Sequence, residues 1–454
     1  MRDSIDFASM SVGRLFRKLF FPTLLGMVFS ALFIITDGIF VGRGIGSDAL
    51  AAVNITAPIF LVNTGMALMF GIGASVVASI HLSHGKLKVA RINITQSVIA
   101  YLTLTLIGVV LIMANYADVA VLLGASPRLL PLAIEYMKWF VPFLMFSGIL
   151  SAGLFYLRLD SAPKYAMICN IVAAVINMLL DYLLIYVLKL GMTGAAFATS
   201  LGYVIGAVMV LVHILNPKNK LHIIRFKTSR KSVLLTLRNV VYMCRMGGPT
   251  FLSQAAVATM MFVGNFVFIR HLGEDGVAAF SICCYLFPIV LMVYNAIAQS
   301  SQPILSYNYG AGFSARVRSA FYIAMAMAIG CGVTVFVLSL FFTPWVVSMF
   351  IDSTQPAYAI AVKGLPMFAS GFVFFGVNMV AIGYFQSVER DRPAIALTIL
   401  RGFVFIALCF SIMPILFGVS GIWLSVPMAE LLTFVVMLIM HFTKKKIRKY
   451  KSCV

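Results

Sequence analysis

Residues Phe20–Ala52 read FFPTLLGMVFSALFIITDGIFVGRGIGSDALAA, and this stretch decides the fold. It opens as an apolar run long enough to cross a bilayer. It carries Pro22 near one end and Asp37 well inside, then breaks at a Gly-rich turn, Gly42 to Gly46. A carboxylate at bilayer depth costs roughly 2.5–3.5 kcal/mol on insertion scales, so its presence calls for a function. The stretch also recurs. An offset of 227, half the chain length of 454, places Pro22 on Pro249, Arg43 on Arg270, Gly46 on Gly273 and Asp48 on Asp275. Asp37 falls on Gly264, so the two halves share a scaffold and one of them keeps the acid.

The rest of the chain is as apolar as this segment. Hydrophobic residues make up 62% and charged residues 11%, where soluble domains average roughly 25% charge. The mean hydropathy of +1.02 is that of a polytopic membrane protein. A net charge of +20 suggests nucleic acid at first sight, but the basic residues sit in short loops on one side, so no nucleic-acid partner is expected. The seven cysteines have no metal-ligand spacing, and the adjacent Cys283 and Cys284 cannot form an unstrained bridge. Acids at Asp3 and Asp6 and the long apolar run after them argue against a cleaved signal peptide.

A hydrocarbon core of about 30 Å needs about 20 apolar residues per helix. Twelve runs qualify: 17–42, 53–80, 93–115, 132–157, 165–188 and 193–215, then 240–270, 279–302, 317–342, 358–386, 394–416 and 420–442. The spacing therefore predicts an all-α membrane protein with an N-lobe (1–215), a polar linker (216–239), a C-lobe (240–443) and a basic tail (444–454). Of 34 Lys and Arg, 28 fall on the side of the termini and the linker. By the positive-inside tendency both termini are cytoplasmic, and the Lys444–Lys449 cluster suits anionic lipid headgroups. Further matches at the same offset join Gly85 to Gly312, Arg91 to Arg318, Gly191 to Gly418 and Gly194 to Gly421. Pro142 with Pro366, and Pro163 with Pro393, match with a small shift. Two halves with an even number of spans enter from the same side, a layout of secondary transporters with a site near the midplane.

Three of the 14 acids lie away from loops, span ends and termini: Asp37, Asp181 and Glu430. In the fifth run Asn170, Ala174, Asn177 and Asp181 share one helix face. Asn177 and Asp181 are one turn apart and can present an amide oxygen and a carboxylate to one point. The sixth run offers Thr199 among the small residues Ala195, Ala198, Gly202 and Gly206, which allow close backbone approach. Such a set can hold and release a proton, coordinate sodium through hard oxygens, or attract an organic cation. Competition between any two of these gives exchange.

At this point the chain resembles a family. Asp37-Gly-Ile-Phe-Val-Gly-Arg43 after Pro22, the Asn177-x3-Asp181 pair and Thr199 look like the multidrug and toxic compound extrusion (MATE) transporters, of the DinF- and MepA-like bacterial branch. The resemblance covers the whole chain and implies twelve helices in two pseudo-symmetric six-helix lobes. It implies a secondary active multidrug efflux antiporter, exporting cationic drugs and antimicrobials in exchange for H+ or Na+ through a central cleft. Residue by residue it implies a cation site at Asp37, Asn177, Asp181 and Thr199, and a helix-bending role for Pro22. It implies a monomer of the bacterial inner membrane that contacts lipid and needs no cofactor beyond the coupling ion.

The chain departs from members with a second cation site in the C-lobe. Its seventh and tenth runs hold Gln254, Asn265, Asn378 and Gln386, with no acid before Glu389. Glu430 is a substitute, as a cavity residue or as a packed acid paired with Arg401, and Gln254, Asn295 and Gln299 are candidates to line a cleft. Three alternatives stay open. A lipid-linked oligosaccharide flippase of the same superfamily would want several buried basic residues, and Arg401 is nearly the sole candidate. A major-facilitator transporter would carry Asp-Arg-x-Gly-Arg between spans 2 and 3, where this chain reads His81-Leu-Ser-His-Gly-Lys-Leu-Lys. An enzyme is not expected: there is no Gly-x-Ser-x-Gly, no His-Glu-x-x-His and no nucleotide-binding loop.

Overall fold

The protein is described here by a computed structural model covering residues 5–225, 229–350 and 352–451, with the side chains of Ser47, Arg230, Lys231, Glu274, Tyr285 and 441–451 outside the description. The basic tail cluster belongs to those side chains. The main chain is helical as far as Lys451, and the described residues contain no strand. A bilayer imposes this, because every backbone N–H and C=O in hydrocarbon must be satisfied within its own segment.

Spans 1–3 are the helices Val12–Gly44, Ser47–Ser83 and Leu87–Ala114. Span 4 runs over Leu130–Leu159, span 5 over Pro163–Val187 and span 6 over Gly191–Leu215. Span 7 is Ser232–Gly273, span 8 Asp275–Gly310 and span 9 Ser314–Ser348. Span 10 is the pair Pro356–Ala369 and Phe372–Ser387, bent by 40°. Spans 11 and 12 lie within Asp391–Met440 and divide at Gly418, where the backbone leaves the helix with φ 56°. That makes twelve transmembrane helices among the described residues. The observed helices outrun the predicted apolar runs because they continue into the polar flanks. The seventh begins inside the polar linker, where the Ser229 hydroxyl accepts a hydrogen bond from the Ser232 N–H.

The internal repeat is visible in the backbone. Gly46 and Gly273, Gly85 and Gly312, and Gly191 and Gly418 all have positive φ. Each pair was matched by the 227 offset, and each sits where the chain turns between spans. Left-handed backbone strains L-residues and is open to glycine, so the turn chemistry of both halves is the same. The fourth span of each half is also interrupted near its middle. Span 4 tightens to a 3-10 turn at Val141–Phe143, around Pro142. Span 10 breaks four residues after Pro366. The fifth span of each half carries a π-turn, Tyr182–Val187 in one and Leu400–Val404 in the other. Pro22, by contrast, lies inside one continuous helix.

The chain forms two compact units. One is Met1–Phe251 with Pro303–Val317, and the other is Leu252–Gln302 with Arg318–Val454. The first therefore holds spans 1–6 together with one end of spans 7, 8 and 9. Glycines explain how. A Cβ on Gly73 of span 2 would lie 2.1 Å from the Met243 carbonyl of span 7, and one on Gly247 would lie 1.9 Å from the Met69 carbonyl. Gly310 of span 8 packs likewise on Ile80 and Ser83. Without side chains, these backbones touch. The N-terminal segment is fastened to the same end: Arg316 donates to the carbonyls of Phe7 (2.9 Å) and Met10 (2.6 Å) and to Asn308 Oδ1 (2.7 Å). The Phe7 ring stacks 5.6 Å from Tyr307.

Substituting Gly73→Val should lower the thermal midpoint of the detergent-solubilised protein by on the order of 4 °C or more, through overpacking. Gly108→Val is the control, since a Cβ at Gly108 meets nothing within 4 Å. A thermal-shift assay on both variants checks it, and equal midpoints would contradict the backbone contact.

Candidate functional site

Span 5 places the site. Its inward stripe buries Ala166, Ala173, Ala174, Asn177 and Asp181. Asn170, two turns before Asn177, faces span 1: its Nδ2 lies 3.3 Å from where a Gly26 Cβ would be. Span 6 closes on span 5 through Gly202, whose absent Cβ would sit 3.0 Å from both the Asn177 Cβ and the Ala173 carbonyl oxygen. A larger residue there would push Thr199, one turn away, out of reach. From span 1, Asp37 arrives half-buried. The Thr199 hydroxyl donates to Asp37 Oδ1 at 2.9 Å and lies 3.0 Å from the Ala195 carbonyl of its own helix. Asp37, Asn177, Asp181 and Thr199, predicted as one set, thus converge in the first unit.

The remaining polar atoms are the informative ones. Asn177 and Asp181 are both 0% exposed. No oxygen of the Asp181 carboxylate and neither polar atom of the Asn177 amide reaches a partner at hydrogen-bond distance, although Asn177 and Asp37 stand beside Asp181 close enough to interact with it. A buried carboxylate without a partner is costly whether ionised or not. The π-turn begins immediately after Asp181. Such turns release carbonyls from the regular ladder and concentrate at functional positions.

Two tyrosines join the site without having been singled out in the sequence. Tyr136 of span 4 and Tyr203 of span 6 both face the Asp37 carboxylate, and Tyr136 also faces Thr199 and Asp181. Tyr203 packs 5.1 Å from Phe33 and 5.7 Å from Phe60, centroid to centroid. The signal for Tyr203 was its place one turn after Thr199. Tyr136 had none, since it lies in another span. Ser30, on the stripe of Asp37, is turned to its own helix and donates to the Gly26 carbonyl.

The second unit has a different centre. Glu430 is buried and ion-paired with Arg401, Nε to Oε1 at 2.6 Å. Asn378 donates to the Glu430 carboxylate and to its main-chain carbonyl, both at 2.8 Å. The guanidinium lies 4.0 Å above the Phe375 ring. Of the two readings of Glu430, the geometry is that of the packed, paired acid. Gln254, Asn295 and Gln299 lie half-buried on spans 7 and 8. Among the described residues no group of three or more His, Cys, Asp and Glu could hold a metal ion. A coupling sodium would have to use the mixed oxygens of Asp37, Asn177, Asp181 and Thr199.

Twelve apolar helices among the described residues, arranged in sequence as a repeat, with a buried carboxylate in the first unit, define a polytopic membrane protein. The family comparison agrees: the MatE model matches residues 22–183 and again 249–411, so its two copies begin at Pro22 and Pro249, 227 apart. The chain belongs to the MatE family. It is 24% identical over 432 residues to the multidrug export protein MepA of Staphylococcus aureus, covering 94% of this chain and 93% of that one. It is 26% identical over 437 residues to MepA of Staphylococcus saprophyticus, covering 95% and 94%. Its fold is that of a MATE transporter crystallised in the straight conformation, with TM-score 0.88, 22% identity and 98% of each chain covered.

Replacing Arg401 by Met leaves Glu430 buried and unpaired, which should cost about 3–5 kcal/mol. The double variant Arg401→Met/Glu430→Gln should recover most of that. Thermal midpoints of the two single variants and the double complete the cycle, and additive losses would dismiss the pair as a stabilising unit.

Proposed function

We propose that the protein is a secondary active efflux antiporter of the plasma membrane, exporting organic cations in exchange for H+ or Na+, with both termini cytoplasmic and one chain as the working unit. The observation that carries this is the Asp181 carboxylate, buried without a hydrogen-bond partner beside Asn177 and the Asp37–Thr199 pair. Such a group is stable when a cation neutralises it. A proton on either acid does so, a sodium ion held by the four side-chain oxygens does so, and an organic cation drawn to the same negative field does so. Because each satisfies the same charge, loading one favours release of another, which is the thermodynamic content of exchange. Inward movement of one charge supplies about 2.3 kcal/mol per 100 mV to the outward step. Tyr136, Tyr203, Phe33 and Phe60 offer aromatic faces beside that charge, suited to flat cations.

The names of the MepA relatives support multidrug export as the function. The flippase reading is weaker, because Arg401 is neutralised by Glu430 within hydrogen-bond distance.

Asp37→Asn and Asp181→Asn should each cut ethidium efflux from cells by roughly tenfold or more, with membrane levels unchanged by immunoblot. Undiminished efflux in both would reject the site. In proteoliposomes, an imposed pH or sodium gradient should drive ethidium transport in the wild type. The gradient that does so identifies the coupling ion, and Asp181→Asn should abolish the response.

A further inference from the structure

We propose that the crevice between spans 8, 9 and 10 is a binding site for one acyl chain of a membrane lipid. The crevice has a volume of about 380 Å³ and is lined by Leu286 and Val290 of span 8, Val335, Phe342 and Trp345 of span 9, and Phe368 of span 10, among others. That is more than twice the roughly 150 Å³ apolar cavity known to take up benzene. All the lining residues belong to one compact unit.

Its chemistry excludes a polar occupant. Two hydroxyls line it, and both are spent on their own helix: Ser339 donates to the Phe336 carbonyl at 2.6 Å, and Thr343 donates to the Ser339 carbonyl. The polar side chains of spans 7 and 8, Gln254, Asn295 and Gln299, are not among the lining residues. A crevice wetted by a transport pathway would expose such groups. This one presents hydrocarbon to hydrocarbon.

Its dimensions specify a chain rather than a compact molecule. From Val335 to Trp345 the helix rises about 15 Å, which is one leaflet of a core about 30 Å thick. Trp345 stands three residues before the end of its helix at Ser348 and is 63% exposed, the place where indoles anchor at the membrane surface. At the midplane end the crevice closes. A Cβ on Gly332 would lie 2.6 Å from the Val373 Cα, so spans 9 and 10 touch there. Beyond that contact span 10 bends by 40°, and Ala369 and Phe372, which flank the bend, line the opening wedge. The wedge thus runs from interface to midplane, in the leaflet opposite the termini. The inference needs only that the chain spans a membrane. It does not need the export reading, and efflux assays do not bear on it.

The test is photolabelling in vesicles of phosphatidylethanolamine and phosphatidylglycerol, with a trace of phosphatidylcholine bearing a mid-chain diazirine, followed by peptide mass spectrometry. Adducts on 335–346 and 365–372 should exceed those on Leu104–Leu111 of span 3 by roughly five-fold or more. That face of span 3 is a fair control, because its large side chains are just as exposed. Ala369→Phe, which fills the wedge, should bring span 9 down to the control level. If that variant does not reach the membrane, Cys283→Leu is read the same way, and the ratio of span 9 to span 3 in the wild type requires no variant. Equal labelling of spans 9 and 3, labelling unchanged by filling, or displacement by excess ethidium would each overturn the proposal, the last by making the crevice a drug pocket.

Discussion

A carboxylate shut away from water, with no partner at hydrogen-bond distance, is the constraint on which the candidate site depends. Asp181 is held by its stripe on span 5 and by the tight approach of span 6 at Gly202. Folding bears the cost of desolvation without the compensation that an internal partner would give. The Thr199 hydroxyl holds the neighbouring carboxylate of Asp37 beside span 6.

The second half uses the same helical frame and resolves its charge internally. Glu430 is matched by Arg401, with Asn378 and the Phe375 ring completing the surroundings. The two centres are opposites. Glu430 is ion-paired with Arg401, and Asp181 meets no partner at hydrogen-bond distance. The scaffold repeats, but Gly264 stands where Asp37 does, and the ion pair of the second half lies on other helices.

Much of this was legible in the sequence because bilayer physics leaves few choices. Run lengths gave twelve spans, and the 227 offset gave the repeat, since its glycine pairs occupy the same left-handed turns. The i, i+4 spacing put Asn177 and Asp181 together, and small residues marked the face of span 6. What depends on contact between distant spans was hidden. Tyr136 and Tyr203 reach the acids from spans 4 and 6 through tertiary packing, which periodicity does not encode. That the first unit takes in one end of spans 7 and 8 follows from Gly73, Gly247 and Gly310, and nothing in a list of glycines distinguishes these from Gly108, whose Cβ would meet nothing within 4 Å. Glu430 stood open between two roles because its partner lies 29 residues earlier, on another helix.

The π-turns in spans 5 and 11 carry one more consequence. Each accommodates an additional residue per turn, so side chains beyond it are rotated by about 100° relative to an unbroken helix. In span 5 this happens directly after Asp181. The stripe continues past the acid: Tyr182 and Leu183 face outward and are exposed, while Leu184 and Ile185 are buried, Leu184 beside Gly194 of span 6 and Ile185 beside Gly44 of span 1. Span 5 thus stays packed against both neighbours through the wider turn beyond Asp181.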